Sequence, residues 1–340
     1  VRAYHLMVDH FFTDYFAVGS QGESQASLFC LQEAFKLIGL VLDDEKSQPP
    51  SDFAMVLGVA FNTRALKDQR LLLVEPKPTR VANLTSLINK ILDDDFLSPS
   101  LAASLLGKFG FLCSTMFGKV GRCCTQSIRA RQYGNPDEVT LTRNIRVSLH
   151  LMHLFTNTAP CRELPLDHQL PPLILYTDAS DVPGRPEGRW IVGAVLIDPH
   201  TMLISYTSWI VPPSIIHSFL PKETYMGQLE ILACPIALNT WPDVLRDRQV
   251  LLFIDNDAAA ACLVRGYSPR QDSCALVGDF WLAASASKLS VYIDRVESKS
   301  NLADGPSRLN FEFMHQIQAS WTAPNSISCF DKSFSWFEAL

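Results

Sequence analysis

The apolar positions of the chain change their period from one region to the next, and each change predicts a different element. His5–Val8 and Phe11–Phe16 are apolar and aromatic runs on either side of the polar pair Asp9-His10. Two short runs joined at a polar pair predict a β-hairpin. From Ser24 to Leu40 the apolar residues Leu28, Leu31, Phe35 and Ile38 recur at helical spacing, with a stop signal at Gly39. Gln48-Pro49-Pro50-Ser51 predicts a turn and Met55–Phe61 a strand. Helical stripes then dominate, over Val81–Leu92, Ser98–Leu112 and Leu141–Phe155. Ser98-Pro99-Ser100 supplies a helix start, whereas Gly107, Gly110, Gly118 and Gly121 interrupt the later part.

Pro160, Pro165, Pro171 and Pro172 make residues 159–172 irregular and mark a boundary. Beyond it strands come first: Leu173–Tyr176, Trp190–Ile197 and Met202–Trp209. A long helix, Glu223–Trp241, follows, then strand Val250–Ile254, helices Ala258–Val264 and Ser273–Ser287, strand Leu289–Val296 and a short helix Leu302–Ser307. Three successive strands and then alternating helices and strands predict a mixed α/β layered fold with a five-stranded sheet. Residues 309–340 carry scattered aromatics and little pattern.

The length of 340 residues suits two domains rather than one core. No apolar run reaches the roughly 18 residues that span a bilayer, so no membrane association is expected. The nine cysteines include no Cys-x-x-Cys pair. That speaks against a zinc site and for reduced thiols, hence an intracellular setting, nuclear or cytoplasmic. A net charge of −6 excludes a protein coated in positive charge. The charge is uneven, however. Between Phe96 and Asp137 there is no acid, while Lys108, Lys119, Arg122, Arg129 and Arg131 all fall there. Such a stretch is a candidate phosphate-backbone track, and equally an ordinary solvated helix face.

Four acids stand in unusual surroundings. Asp178 follows the apolar run Leu173–Tyr176, and Asp255 follows Leu251–Ile254. Glu230 interrupts the apolar helix segment Leu229–Ala233, and Asp304 opens the short helix after Asn301. A carboxylate in apolar surroundings is costly unless paired or metal-bound. Each has a plain structural role open to it, as a turn starter, a helix cap, a surface position or a first-turn acid. Gathered together, the four would repel and raise one another's pKa values, and two divalent cations would relieve that repulsion. Mg²⁺, with its preference for hard oxygens, suits such a set, and Mn²⁺ can substitute. Two ions about 4 Å apart can activate a water and stabilise a leaving 3′ oxygen.

The runs Tyr176-Thr177-Asp178-Ala179-Ser180, Gly193–Leu196, Leu229-Glu230, Ile254-Asp255-Asn256 and Asn301–Arg308 resemble the RNase H domain of retroelement reverse transcriptases, DIRS-type and gypsy-like. The resemblance implies an RNase H-like fold over residues 173–308, with Asp178, Glu230, Asp255 and Asp304 as catalytic metal ligands. It implies cleavage of the RNA strand of an RNA–DNA hybrid. Upstream, Met7–Phe12 resembles the catalytic hairpin of a reverse transcriptase palm, Lys46 through Val59 the following palm motifs, and Leu105–Arg122 a thumb or connection region. On that basis residues 1–77 are a partial α+β palm, 78–158 a helical thumb or connection, 159–172 a linker and 309–340 a tail.

Three departures shape the functional expectation. The hairpin's second Asp is His10, and the earlier palm motif and the fingers are missing from the sequence. Asp9 and His10 are therefore read as vestiges, polymerisation is not expected, and a separate polymerase portion or another reverse transcriptase subunit is a conceivable partner. Asp181–Arg189 lengthens the first turn, and no His lies between Val296 and Asp304 to aid product release. Hybrid recognition would run through shape and 2′-hydroxyls. Asn256, Ser180 and Arg308 are the nearest polar candidates, with Lys108, Lys119 and Arg122 on the backbone; each is equally compatible with an ordinary surface position. The competing expectation is a catalytically inactive remnant that at most binds nucleic acid. An exonuclease of the same fold ranks last, since Ala179-Ser180 follow the first acid where an Asp-x-Glu pair is usual.

Overall fold

A computed structural model describes residues 8–11, 14–17, 19–40, 43, 47–158, 161–166, 170–184 and 189–325. For residues 8–11, 14–17, 21 and 67 the backbone alone is described. The chain divides into two compact units, Val1–Arg80 with Cys161–Leu166, and Val81–Pro160 with Asp167–Leu340.

The first unit contains a hairpin of β1 (Val8–Phe11) and β2 (Asp14–Ala17), helix α1 (Gln21–Leu37), and an antiparallel sheet. Asp9 and His10 lie within β1, opposite Phe16 and Tyr15, so they do not join the two strands as the sequence suggested. Lys46 falls outside the described residues. The sheet is built of β3 (Phe53–Val56), β4 (Val59–Asn62), β5 (Leu71–Pro76) and β6 (Arg162–Pro165), with helix α2 (Leu66–Gln69) before β5. The single strand expected over Met55–Phe61 is thus a tight hairpin. Leu57 and Gly58 both take left-handed backbone, φ 52° and 80°, which matches the twist of a two-residue turn. The proline-rich stretch expected to be irregular contains β6, paired with β5.

The second unit takes up α3 (Pro78–Asp93) from Val81 and continues with α4 (Pro99–Cys113), α5 (Gln126–Gln132) and α6 (Arg143–Thr158). Ser98 caps α4 by accepting from the Leu101 amide at 3.2 Å, with Pro99 in the first turn. The sheet follows: β7 (Leu173–Asp181), β8 (Trp190–Asp198) and β9 (Leu203–Ile210). Helices α7 (Pro213–Ser218), α8 (Met226–Thr240) and α9 (Pro242–Leu245) lead to β10 (Gln249–Ile254). Helices α10 (Asp257–Arg265) and α11 (Gln271–Ala286) precede β11 (Ser290–Arg295). Helices α12 (Asp304–Ser307) and α13 (Glu312–Gln316) and strand β12 (Ser320–Trp321) close the described chain.

The strand order is β11-β10-β7-β8-β9-β12. β7, β8 and β9 are antiparallel, whereas β10 runs parallel to both β7 and β11. This is the RNase H-like mixed sheet expected, with all five strands present. The sixth, β12, comes from the tail and pairs Ser320 and Trp321 with Ser205 and Tyr206.

Alternation decides what each face of the sheet meets. Leu173, Leu175, Val192, Ala194 and Leu196 join a core shared with α8 and α11. Val195 and Tyr206 instead pack with Ala303 and Met314. Helix α8 is buried from Gln228 through Leu238, which accounts for its nearly continuous apolar sequence. The same core runs on into α3–α6 through Leu84, Ile88, Leu105, Phe109, Ile128 and Met152. Among the described residues no helix is long and apolar enough to cross a membrane.

Candidate active site

The register of the sheet creates a notch. Along β10 the last pair with β7 is Ile254 opposite Thr177, while β7 continues beside β8 to Asp181. Asp178 and Asp255 each follow that last pair, so they emerge next to each other where β10 ends. Such a point, at the carboxyl ends of parallel strands, is where open α/β sheets place ligands. Glu230 enters from α8. Oxygens of Asp178, Glu230 and Asp255 all lie within 4.8 Å of one another. Asp178 and Glu230 are buried, at 3 % and 4 % exposure.

Short helix α12 is fastened against the opposite side of Asp178. Gly193 lies directly across from Asp178 on β8. A Cβ there would come within 2.4 Å of the Ser307 nitrogen and 2.8 Å of the Pro306 carbonyl carbon, so only glycine lets α12 approach. Ser208 Oγ donates to the Pro306 carbonyl at 2.7 Å, and Ser180 Oγ to the Ser307 carbonyl at 2.5 Å. Ser307 Oγ donates to Asp178 Oδ2. The buried Asn301 amide donates to the Thr177 carbonyl at 3.0 Å and lies 3.5 Å from Asp178 Oδ1. Gly193→Ala is expected to push α12 off the sheet. By the usual cost of overpacking, the melting temperature should fall by about 5 °C or more in calorimetry. A variant melting within about 1 °C of the parent would refute this docking.

The electrostatics follow from burial. Burial, first of all, and then the charges of Asp178 and Asp255, raise the Glu230 pKa to about 9; a hydrogen bond from the Ala179 amide opposes them. Burial likewise raises Asp178 to about 6, with the Ser307 hydroxyl pulling the other way and Asp255 and Asp304 adding to the rise. Oxygen Oε2 of Glu230 is buried and has no hydrogen-bond partner. Metal-free, Asp178 and Glu230 thus resist ionisation, which is what a divalent cation on these hard oxygens would reverse.

Asp304 stands apart from the three-acid cluster. It opens α12, is half exposed, and accepts from Arg308 Nε at 2.8 Å. Asp181, the other acid on β7, is taken by Arg189, whose Nη2 donates to Oδ2 at 2.6 Å.

The polar candidates separate as well. Asn256 caps α10, accepting from the Ala259 amide at 3.0 Å through Oδ1. Ser180 is buried and turned toward α12, where its hydroxyl donates to the Ser307 carbonyl. Lys108 is exposed on α4. Lys119 and Arg122 lie over Gly266 at the end of α10, and Arg122 Nη1 donates to the Arg265 carbonyl at 3.4 Å. Cation and carbonyl end of the helix suit each other. The basic stretch is therefore used partly inside the protein. Arg131 is buried, donating to the Leu97 and Thr140 carbonyls at 3.2 and 2.8 Å and to Glu138.

Sequence reasoning missed Ser307 and Asn301 as partners of Asp178, and Gly193 as the seat of α12. Lys222 and Arg270 form a basic pair that no motif marked. Burial, first of all, and then the charge of Arg270 lower the Lys222 pKa, opposed by Asp272. Asp272, in the first turn of α11, accepts from the Leu220 amide and from Gln228 Nε2, tying this basic pair to the start of α8.

No protein-family model and no curated protein matches the chain. Among solved structures, the N-terminal RNase H domain of rv2228c from Mycobacterium tuberculosis, fused to maltose-binding protein, is similar at 14 % identity and TM-score 0.31. That match covers 43 % of this chain and 98 % of that one. The foamy viral protease-reverse transcriptase in complex with dsDNA is similar at 14 % identity and TM-score 0.38. It covers 84 % of this chain, which spans 54 % of the viral one.

Proposed function

We propose that this chain is a metal-dependent RNase H-type endonuclease that hydrolyses the RNA strand of an RNA–DNA hybrid. The observation that carries the reading is the convergence of Asp178, Glu230 and Asp255 oxygens within 4.8 Å at the end of β10. Their hard oxygen donors, one of them buried without a partner, fit Mg²⁺, with Mn²⁺ as a substitute. Bound there with the help of Asp304, two ions would supply an activated water and stabilisation of the leaving 3′ oxygen. The chain's own work is positional. Ser307 and Asn301 fix the orientation of Asp178, α8 delivers Glu230, and the end of β10 delivers Asp255.

The substrate would be read by its duplex shape and its 2′-hydroxyls. Asn256 spends Oδ1 on its helix cap, which leaves its amide hydrogens to donate beside Asp255. Lys222 and Arg270 suit phosphates, with exposed Lys108 as a further backbone contact, and binding would weaken with salt. The retroelement origin, DIRS-type or gypsy-like, and the vestigial reading of Asp9 and His10 rest on the motifs alone. The described cysteines, all unbridged, suit an intracellular site of action, nuclear or cytoplasmic.

The direct test incubates the whole chain and Mg²⁺ with a hybrid labelled on the RNA strand, beside DNA duplex and single-stranded RNA. RNA cleavage confined to the hybrid, leaving 5′-phosphate ends and stopped by EDTA, is expected. A folded protein that leaves the hybrid intact with both Mg²⁺ and Mn²⁺ would instead be an inactive remnant.

A further inference from the structure

Arg308 stands where the acidic centre is least complete. Its guanidinium pairs with Asp304, the acid outside the three-carboxylate cluster, at 2.8 Å. The pair is held at the end of α12, whose place against β7, β8 and β9 is fixed by Ser180, Gly193 and Ser208. The guanidinium also lies within electrostatic reach of Asp178 and Asp255, whose charges stabilise its cationic form after that of Asp304. A fixed positive charge therefore already occupies the neighbourhood in which Asp304 would contribute to a second cation. Like charges compete for the same carboxylate, and arginine holds its charge at every accessible pH. The pair is more than half exposed on the Arg308 side, so the guanidinium can leave without a large desolvation cost. A phosphodiester offers this planar fork two oxygens as an alternative bidentate partner.

We propose that Arg308 acts as a built-in competitor of the second metal ion: it holds Asp304 in the free protein and releases it when a substrate phosphate draws the guanidinium away. This rests on the metal-dependent nuclease reading and adds an order of loading to it. The Asp178–Glu230–Asp255 site fills first, and the Asp304 side fills in the presence of hybrid. Arg308 is thus a positioning residue, acting through Asp304 rather than on the reacting atoms.

The test reads metal binding rather than cleavage. Mn²⁺ is titrated into the whole chain by electron paramagnetic resonance and calorimetry, for the parent, Arg308→Gln and Arg308→Lys. Without nucleic acid, the parent should bind one ion well and a second weakly. Arg308→Gln should tighten the second ion by about fivefold, the upper range for an exposed ion pair, while leaving the first unchanged. Arg308→Lys, which keeps the charge, should stay near the parent. Adding a hybrid with a 2′-O-methylated, uncleavable RNA strand should tighten the second ion in the parent by more than in Arg308→Gln. Two ions bound equally by parent and Arg308→Gln, with cleavage intact, would overturn the proposal and leave the nuclease reading standing. No Mn²⁺ bound by any of the folded proteins would overturn both.

Discussion

Glu230→Gln is expected to abolish cleavage and, at the same time, to stabilise the metal-free protein. The two effects share one cause. The Glu230 pKa rises from 4.5 to about 9 in the folded chain, because burial and the neighbouring acids disfavour its charge. Between those values the unfolded chain has released a proton that the folded chain still holds. Stability therefore falls as pH rises from about 4.5 toward about 9, and Asp178 adds a fall of the same sign between 3.8 and about 6. Glutamine fills the same space without ionising, so the Glu230 share of that slope disappears. At pH 8 without metal the variant should melt about 5 °C or more above the parent, and the gap should shrink toward pH 5. Mg²⁺ should raise the parent's melting temperature more than the variant's, since the cation relieves the same repulsion. Loss of this proposed ligand should cost the proposed reaction at least about a thousandfold, several kilocalories of charge stabilisation. Calorimetry from pH 5 to 9 with and without Mg²⁺, beside the hybrid assay, checks both halves. Parental pH dependence in the variant would remove the electrostatic account of the cluster, and retained cleavage would remove Glu230 from the chemistry.

The acids themselves were legible in the sequence because a carboxylate in an apolar run is costly and stands out. Asp178 and Asp255 follow apolar strands, and Glu230 lies on a helix buried from Gln228 through Leu238. Their partners were not legible. Ser307 and Asn301 meet Asp178 across more than 120 residues of chain, and Gly193 matters only because α12 lies on it. No local pattern encodes such a contact. Strand β7 was read as ending at Tyr176 because Thr-Asp-Ala-Ser has turn chemistry; pairing with β8 carries it on to Asp181. Tertiary pairing likewise created β12 in a segment without periodicity. The hairpin at Leu57-Gly58 hid inside an apolar run, since a leucine in left-handed backbone leaves no turn signal. Arg131 looked like part of a phosphate track because its three carbonyl partners lie on separate turns of the chain.

Residues 167–340 expressed without the helices before them are expected not to fold cooperatively, although the sheet and every proposed ligand lie within them. The reason is the continuity of the core. Leu84, Phe109, Ile128 and Met152 belong to the same buried cluster as Leu173, Leu232, Phe280 and Trp281. The segment around the short 3-10 turn Arg122–Thr125 is fitted to α10 and α11 at three glycines. A Cβ on Gly118 would meet the Trp281 ring at 2.7 Å, one on Gly266 would meet Lys119 at 2.6 Å, and one on Gly278 would meet Cys123 Sγ at 2.9 Å. Cys274 Sγ donates to the Cys123 carbonyl at 3.0 Å, and Gln126 Nε2 to the Pro269 carbonyl at 3.1 Å. Removing the helices would strip cover from α11, including the Trp281 ring and the largely buried thiol of Cys274. A domain has only roughly 5–15 kcal/mol in hand, so losing this cover is expected to unfold it. The fragment should bind a hydrophobic dye and lack a sharp calorimetric transition. Co-expression with residues 1–166 should restore a soluble complex with a cooperative melt, because the junction is built of packing and hydrogen bonds rather than chain continuity. A fragment that melts sharply alone and cleaves the hybrid would show that the helical region is an accessory. A junction required for folding would instead make α3–α6 part of the same core as the sheet, with α11 and the acidic cluster held from both sides.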